Sequence, residues 1–121
     1  MSKFMISFGS SAMDHIPDEE MPAVADAAHA VVQEILKAGV YVVAGGLETR
    51  KSSIVAIDGT VTEGPGPEAV GGMTIVNVPS REEALAWAAK IAVACRCAQE
   101  VWEFGHDPNL EAMLDLAGEH H

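Results

Sequence analysis

The chain has 121 residues, 49% of them hydrophobic, with 18 acidic residues set against 7 basic ones and a formal charge of -11. A phosphate backbone or an anionic membrane surface has to be met by clustered Lys and Arg, so this balance argues against nucleic acid and membrane as partners. A chain of this length buries roughly two thirds of the surface that its unfolded form exposes. One compact domain over residues 1–106, followed by a C-terminal tail over 107–121, is the expected organisation.

Phe4, Ile6 and Phe8 alternate along residues 2–9 and predict a strand. No apolar targeting segment is expected ahead of it. Over residues 18–38, Met21, Val24, Ala25, Ala28, Val31, Val32, Ile35 and Leu36 recur three and four apart, which predicts one amphipathic helix. Asp18, Glu19 and Glu20 suit the positive end of its dipole, and Gly39 supplies the stop. The apolar run 40–44 predicts a second, buried strand closed by Gly45-Gly46. Residues 54–57 and 60–62 flank Asp58-Gly59, the pattern of a hairpin with a two-residue primed turn. A Gly- and Pro-rich loop over 63–71 leads to a strand at 73–78. Ser80-Arg81-Glu82-Glu83 forms a capping box that opens a second helix running to Val93, with Leu85, Ala88, Ala89 and Ala92 on its buried stripe. A last strand is expected over 98–104 and a short helix over 108–117.

This order predicts an α+β fold, the ferredoxin-like βαββαβ arrangement with an inserted hairpin. Right-handed crossovers put both helices on one face of the sheet. Tyr41, Val43, Ile54, Ile75 and Val76 nevertheless make the strands apolar on both sides. A second copy of the chain is the economical cover for the other face, so a homodimer is expected.

Several segments together resemble the YCII-related family, in its DGPF branch. They are the helix from His29 to Gly39, then Gly46-Leu47, the Asp58-Gly59 hairpin, and the helix Glu82-Glu83-Ala84-Leu85-Ala86-Trp87-Ala88-Ala89. Glu63-Gly64-Pro65-Gly66 stands where that family has Asp-Gly-Pro-Phe. The likeness covers residues 3–104. It implies a dimeric α+β barrel of ferredoxin-like subunits, with an enzymatic role for a helix-borne His and a nearby carboxylate. Some relatives act on small ring compounds by dehalogenation or lactone chemistry. Two departures are plain: Gly66 replaces the signature aromatic, and Lys90-Ile91-Ala92-Val93 stands where some members carry an Asp-Pro-aromatic turn.

His29 lies at the edge of the predicted buried face, where an imidazole can serve as general acid or base near neutral pH. The resemblance makes Glu63 its first carboxylate partner, with Glu48 in reserve. His15, in the loop after the first strand, and Gly64 and Pro65, beside Glu63, are the remaining candidates for contact with a small-molecule substrate. The alternative for each is ordinary structure: a packed histidine, a solvated carboxylate, a polar loop.

No metal or cofactor is expected. His106-Asp107 is too small a ligand set, Ser10-Ser11 lacks the Gly-x-Ser-x-Gly frame, and the glycines form no Gly-x-Gly-x-x-Gly loop. Cys95 and Cys97, one residue apart, are poorly placed for a disulfide, and a reducing cytoplasm is expected. Met5, Met13, Met21 and Met73 are candidates to line an adaptable apolar cavity, and Trp87 and Trp102 belong to core or interface. The terminal His120-His121 pair, native or the stub of a purification tag, enters no site. Two readings of function follow: an acid-base enzyme acting on a compact organic substrate in a cleft between the sheet, loop 10–17 and loop 63–71, or a non-catalytic binding or accessory protein using the same space.

Overall fold

The computed structural model describes residues 1–48 and 51–118, so the terminal His120-His121 pair lies outside the described residues. The elements in chain order are β1 (Ser2–Gly9), α1 (Met21–Lys37), β2 (Tyr41–Gly46), β3 (Ser53–Val55), β4 (Val61–Glu63), β5 (Val70–Val78), α2 (Arg81–Cys95), β6 (Glu100–Glu103) and α3 (Pro108–Ala117). β2, β5, β1 and β6 form, in that order, a four-stranded antiparallel sheet, and β3 and β4 form a separate two-stranded one. The fold is α+β.

Burial along β1 and β5 alternates. Phe4 and Ile6 on β1 and Val76 and Val78 on β5 are all but fully buried, and they join Val31 and Ile35 of α1 and Ala84, Ala88 and Ile91 of α2 in one core. Both helices therefore cover the same face of the sheet. Each of the Phe, Ile and Val side chains contributes about 1.5–3 kcal/mol on leaving water, and the alanines less, which makes this layer the main stabilising feature. Lys90 Nζ donates to Glu34 Oε1 at 2.8 Å and links α2 to α1. Both side chains are half exposed, so the pair contributes about 1 kcal/mol at most.

Several local expectations need correction. The acidic stretch Asp18–Glu20 is a separate 3₁₀ turn, and α1 starts at Met21 with Pro22 in its first turn. Proline is tolerated there because the first N–H groups of a helix have no intrahelical partner. The second strand is not buried: β2 lies at a sheet edge and extends through Gly45-Gly46, where Gly46 pairs with Gly72.

The Asp58-Gly59 hairpin turns on three residues. Ala56 N donates to the Thr60 carbonyl at 2.8 Å and Gly59 N to the Ala56 carbonyl at 2.9 Å, while the Asp58 carboxylate accepts from Thr60 N at 2.9 Å. Gly59 has φ +89° and Asp58 is not among the positive-φ residues. That combination is a three-residue loop ending in a left-handed glycine rather than a primed turn, which needs positive φ at both centres.

In α2 the Ser80 hydroxyl accepts from Glu83 N at 3.2 Å, so this arm of the capping box is present. The buried residues are Ala84, Ala88, Ile91, Ala94 and Cys95, whereas Leu85 is 45% exposed and Ala89 also faces solvent. Alanines on every side of this helix left its phase open to sequence periodicity. The helix ends at Arg96, in the left-handed conformation, whose guanidinium pairs with Glu20. α3 is capped by Asp107, which accepts from Leu110 N at 3.0 Å, and by left-handed Gly118. Among the described residues no helix is long and apolar enough to cross a membrane.

Candidate functional site

A cavity of about 400 Å³ lies between α1 and the helix-bearing face of the sheet. Its walls come from Ala25, Ala28 and Val32 of α1, Phe8 of β1, Ala44 of β2 and Thr74 of β5, with Met13 closing it from the loop after β1. The space exists because the side chains opposite one another here are small. α1 presents alanines, and β2 and β5 meet through Gly45, Gly46 and Gly72. Met13, Met21 and Met73 all contribute to the lining. Met5 does not; it points to the other side of the sheet.

The polar groups of this cavity are few: His29, Tyr41, Thr74 and Gln99, together with the Cys95 thiol. Among the described residues, none that lines the cavity is Lys, Arg, Asp or Glu. His29 is exposed and stands at the rim. Thr74 is buried and belongs to the lining on the sheet side. Burial pushes the Cys95 thiol up from its ordinary range, with the neighbouring Cys97 adding to the effect. It likewise pushes up Cys97, against a lowering contribution from the Gln99 side-chain hydrogen bond. Both thiols are free and stay protonated near neutral pH, which makes them poor nucleophiles.

The other sequence candidates lie elsewhere. Glu48 and Pro65 line a separate hollow of about 340 Å³ beside the β3–β4 hairpin, with Ser52, Ile54 and Val70. Glu63 belongs to β4, paired with Ser53, and not to a loop. Gly64 follows it with its N–H bonded to the Ser52 carbonyl at 2.9 Å, and a Cβ on Gly64 would meet Ser52 Oγ. His15 is exposed in the turn after β1 and lines neither space. Among the described residues no hydrogen bond or ion pair joins His29 to Glu63, Glu48 or any other carboxylate. The expected cleft is thus displaced: it opens under α1 and is bounded by loop 10–17, but not by the segment after β4.

Tyr41, Thr74 and Gln99 were missed by the sequence reading. The available signal was weak: Thr74 is a lone hydroxyl inside an apolar strand, and Gln99 is a neutral polar residue directly before a strand. His106-Asp107 serves local structure, since Asp107 caps α3 and His106 Nδ1 lies 3.4 Å from Glu111 Oε1. Among the described residues no three His, Cys, Asp or Glu side chains are grouped so as to hold a metal ion. No protein-family model matches the chain, and no curated protein matches it.

Proposed function

We propose that this chain is a YCII-related, ferredoxin-like subunit that acts as a homodimer and binds a compact, mainly apolar organic molecule under α1. The observation that carries the binding role is the cavity itself. Its volume is within the range of small-molecule sites, its walls are mostly apolar, and a few polar residues stand among them. The sheet order β2-β5-β1-β6, with both helices on one face, supports the ferredoxin-like assignment. The free thiols suit a reducing compartment such as the cytoplasm.

Binding is preferred over acid-base catalysis because His29, the best-placed base, is joined to no carboxylate among the described residues that would fix its tautomer. The enzymatic reading keeps one observation: the His29 imidazole is exposed at the rim and engaged in no hydrogen bond among the described residues.

The homodimer rests on the uncovered face of the sheet. Trp102, Met5, Ile75 and Val43 are successive cross-strand neighbours, one from each strand, on the side away from the helices. Trp102 is 55% and Val43 45% exposed. A row of this kind, in a chain with charge -11, favours a partner that brings its own apolar row rather than more charge.

The test of binding is a titration of the ¹⁵N-labelled protein with 2-methylnaphthalene. Amide shifts centred on Ala28, Val32 and Thr74 are expected, and Ala28→Phe, which fills the cavity, should abolish them. Shifts confined to Ile54, Pro65-adjacent Gly66 and Val70 would move the site to the hairpin hollow and defeat the reading.

A further inference from the structure

Among the described residues, Gln99 is the lining residue that carries a buried polar atom without a hydrogen-bond partner. Its Nε2 donates to the Cys97 carbonyl at 3.3 Å and contacts Cys97 Sγ at 3.5 Å. Its Oε1 is buried and accepts no hydrogen bond from the described residues. Turning the amide over would not help, because Oε1 would then face the Cys97 carbonyl, another acceptor. The Cys97 contact therefore fixes which end of the amide is left over. A buried acceptor without a donor costs about 1–3 kcal/mol, and native structures carry few of them.

We infer that Gln99 Oε1 is a recognition point, and that the molecule taken up under α1 is neutral, largely apolar and carries one hydroxyl or N–H donor aimed at it. This rests on the cavity being a binding site and adds the chemical class of its ligand. Charge selects on the same side. Among the described residues the lining holds no Lys or Arg, and His29 stands only at the exposed rim, so a carboxylate or phosphate held deeper in the cavity would have no fixed counter-charge there; with no Asp or Glu among those residues an ammonium would lack one too. The raised thiol pKa values at Cys95 and Cys97 agree with a poorly hydrated wall on the Gln99 side. A neutral hydrogen bond in such surroundings discriminates strongly, since an analogue lacking the donor leaves the acceptor unpaired.

The test compares 2-naphthol, which carries the donor, with 2-methylnaphthalene, which does not, by titration of the full chain and of Gln99→Leu. In the wild-type protein 2-naphthol should bind more tightly relative to 2-methylnaphthalene by about tenfold more than in Gln99→Leu, the effect of one net hydrogen bond of about 1.4 kcal/mol. The Gln99 side-chain NH₂ resonances of the wild-type protein should shift with 2-naphthol and not with 2-methylnaphthalene. That measurement decides the matter even where Gln99→Leu fails to fold. Equal binding of the two probes in both proteins, with no response of the Gln99 amide, overturns the inference and leaves the binding role standing. Failure of both probes to bind overturns both.

Discussion

Phe8 and Gly72 face each other across β1 and β5 so closely that a Cβ on Gly72 would lie 2.6 Å from Phe8 Cζ and 2.9 Å from Phe8 Cε1. The aromatic ring occupies the room that a side chain on β5 would take, and in doing so becomes a wall of the cavity. Gly72→Ala must push the ring aside or spread the strands, and should destabilise by about 1–3 kcal/mol. Urea unfolding measures this. A midpoint equal to that of the parent would show the ring free to swing away at no cost.

Val43 and Ile75 stand opposite each other on the uncovered face of the sheet. Introducing Asp at either position places a charge where the homodimer would bury it, and the dimer should dissociate. Light scattering at micromolar concentration should give a dimer mass for the parent and a monomer mass for Ile75→Asp. A monomeric parent would refute the assembly.

Gly59, at φ +89°, closes the β3–β4 hairpin. Gly59→Val forces a β-branched residue into the left-handed region and should cost about 1–3 kcal/mol, read as a lower melting temperature. Hydrogen bonds from the Thr60 backbone N–H and hydroxyl hold the neighbouring Asp58 carboxyl below its ordinary range. A carboxylate lowered in the folded state stabilises above its unfolded pKa. Its contribution should be complete above about pH 4 and fade as pH falls further. Asp58→Asn should flatten that part of the pH profile.

The Cys95 and Cys97 thiols, raised by burial, should react slowly with iodoacetamide at pH 8 and rapidly once the chain is unfolded. For groups whose folded pKa is raised, the sign is the reverse of Asp58: stability is full below the unfolded thiol pKa and declines as pH rises beyond about 8.5. Alkylation equally fast in native and unfolded protein would contradict the burial.

His29 is exposed and takes part in no hydrogen bond among the described residues. His29→Gln should therefore leave the unfolding free energy within about 0.5 kcal/mol of the parent, as surface substitutions usually do. A large loss of stability would mark it as a structural histidine, while loss of turnover in a substrate screen with stability intact would revive the acid-base reading.

The sequence by itself determined the elements whose signals are local. Period-two apolar residues marked β1 and β5, the Ser80 cap marked the start of α2, and Asp107 and Pro108 marked that of α3. Each depends on residues within a turn or two of one another, so no knowledge of the fold was needed. The predicted alternation also carried the two-sided strands, because Ile75 and Val76 must point in opposite directions in any sheet. Tertiary structure alone decided the rest. The phase of α2, ambiguous among so many alanines, is fixed by what Ala84 and Ala88 meet on β1 and β5. Whether His29 and Glu63 share a site depends on how far the hairpin stands from α1, a distance that no spacing in the chain encodes. The cavity is the clearest case. It arises where Ala28 of α1 passes over a sheet region of small residues and where Gln99, remote in sequence, joins the lining with a buried acceptor that no described residue satisfies. Packing between distant segments creates such a space, and only the folded chain brings those segments together.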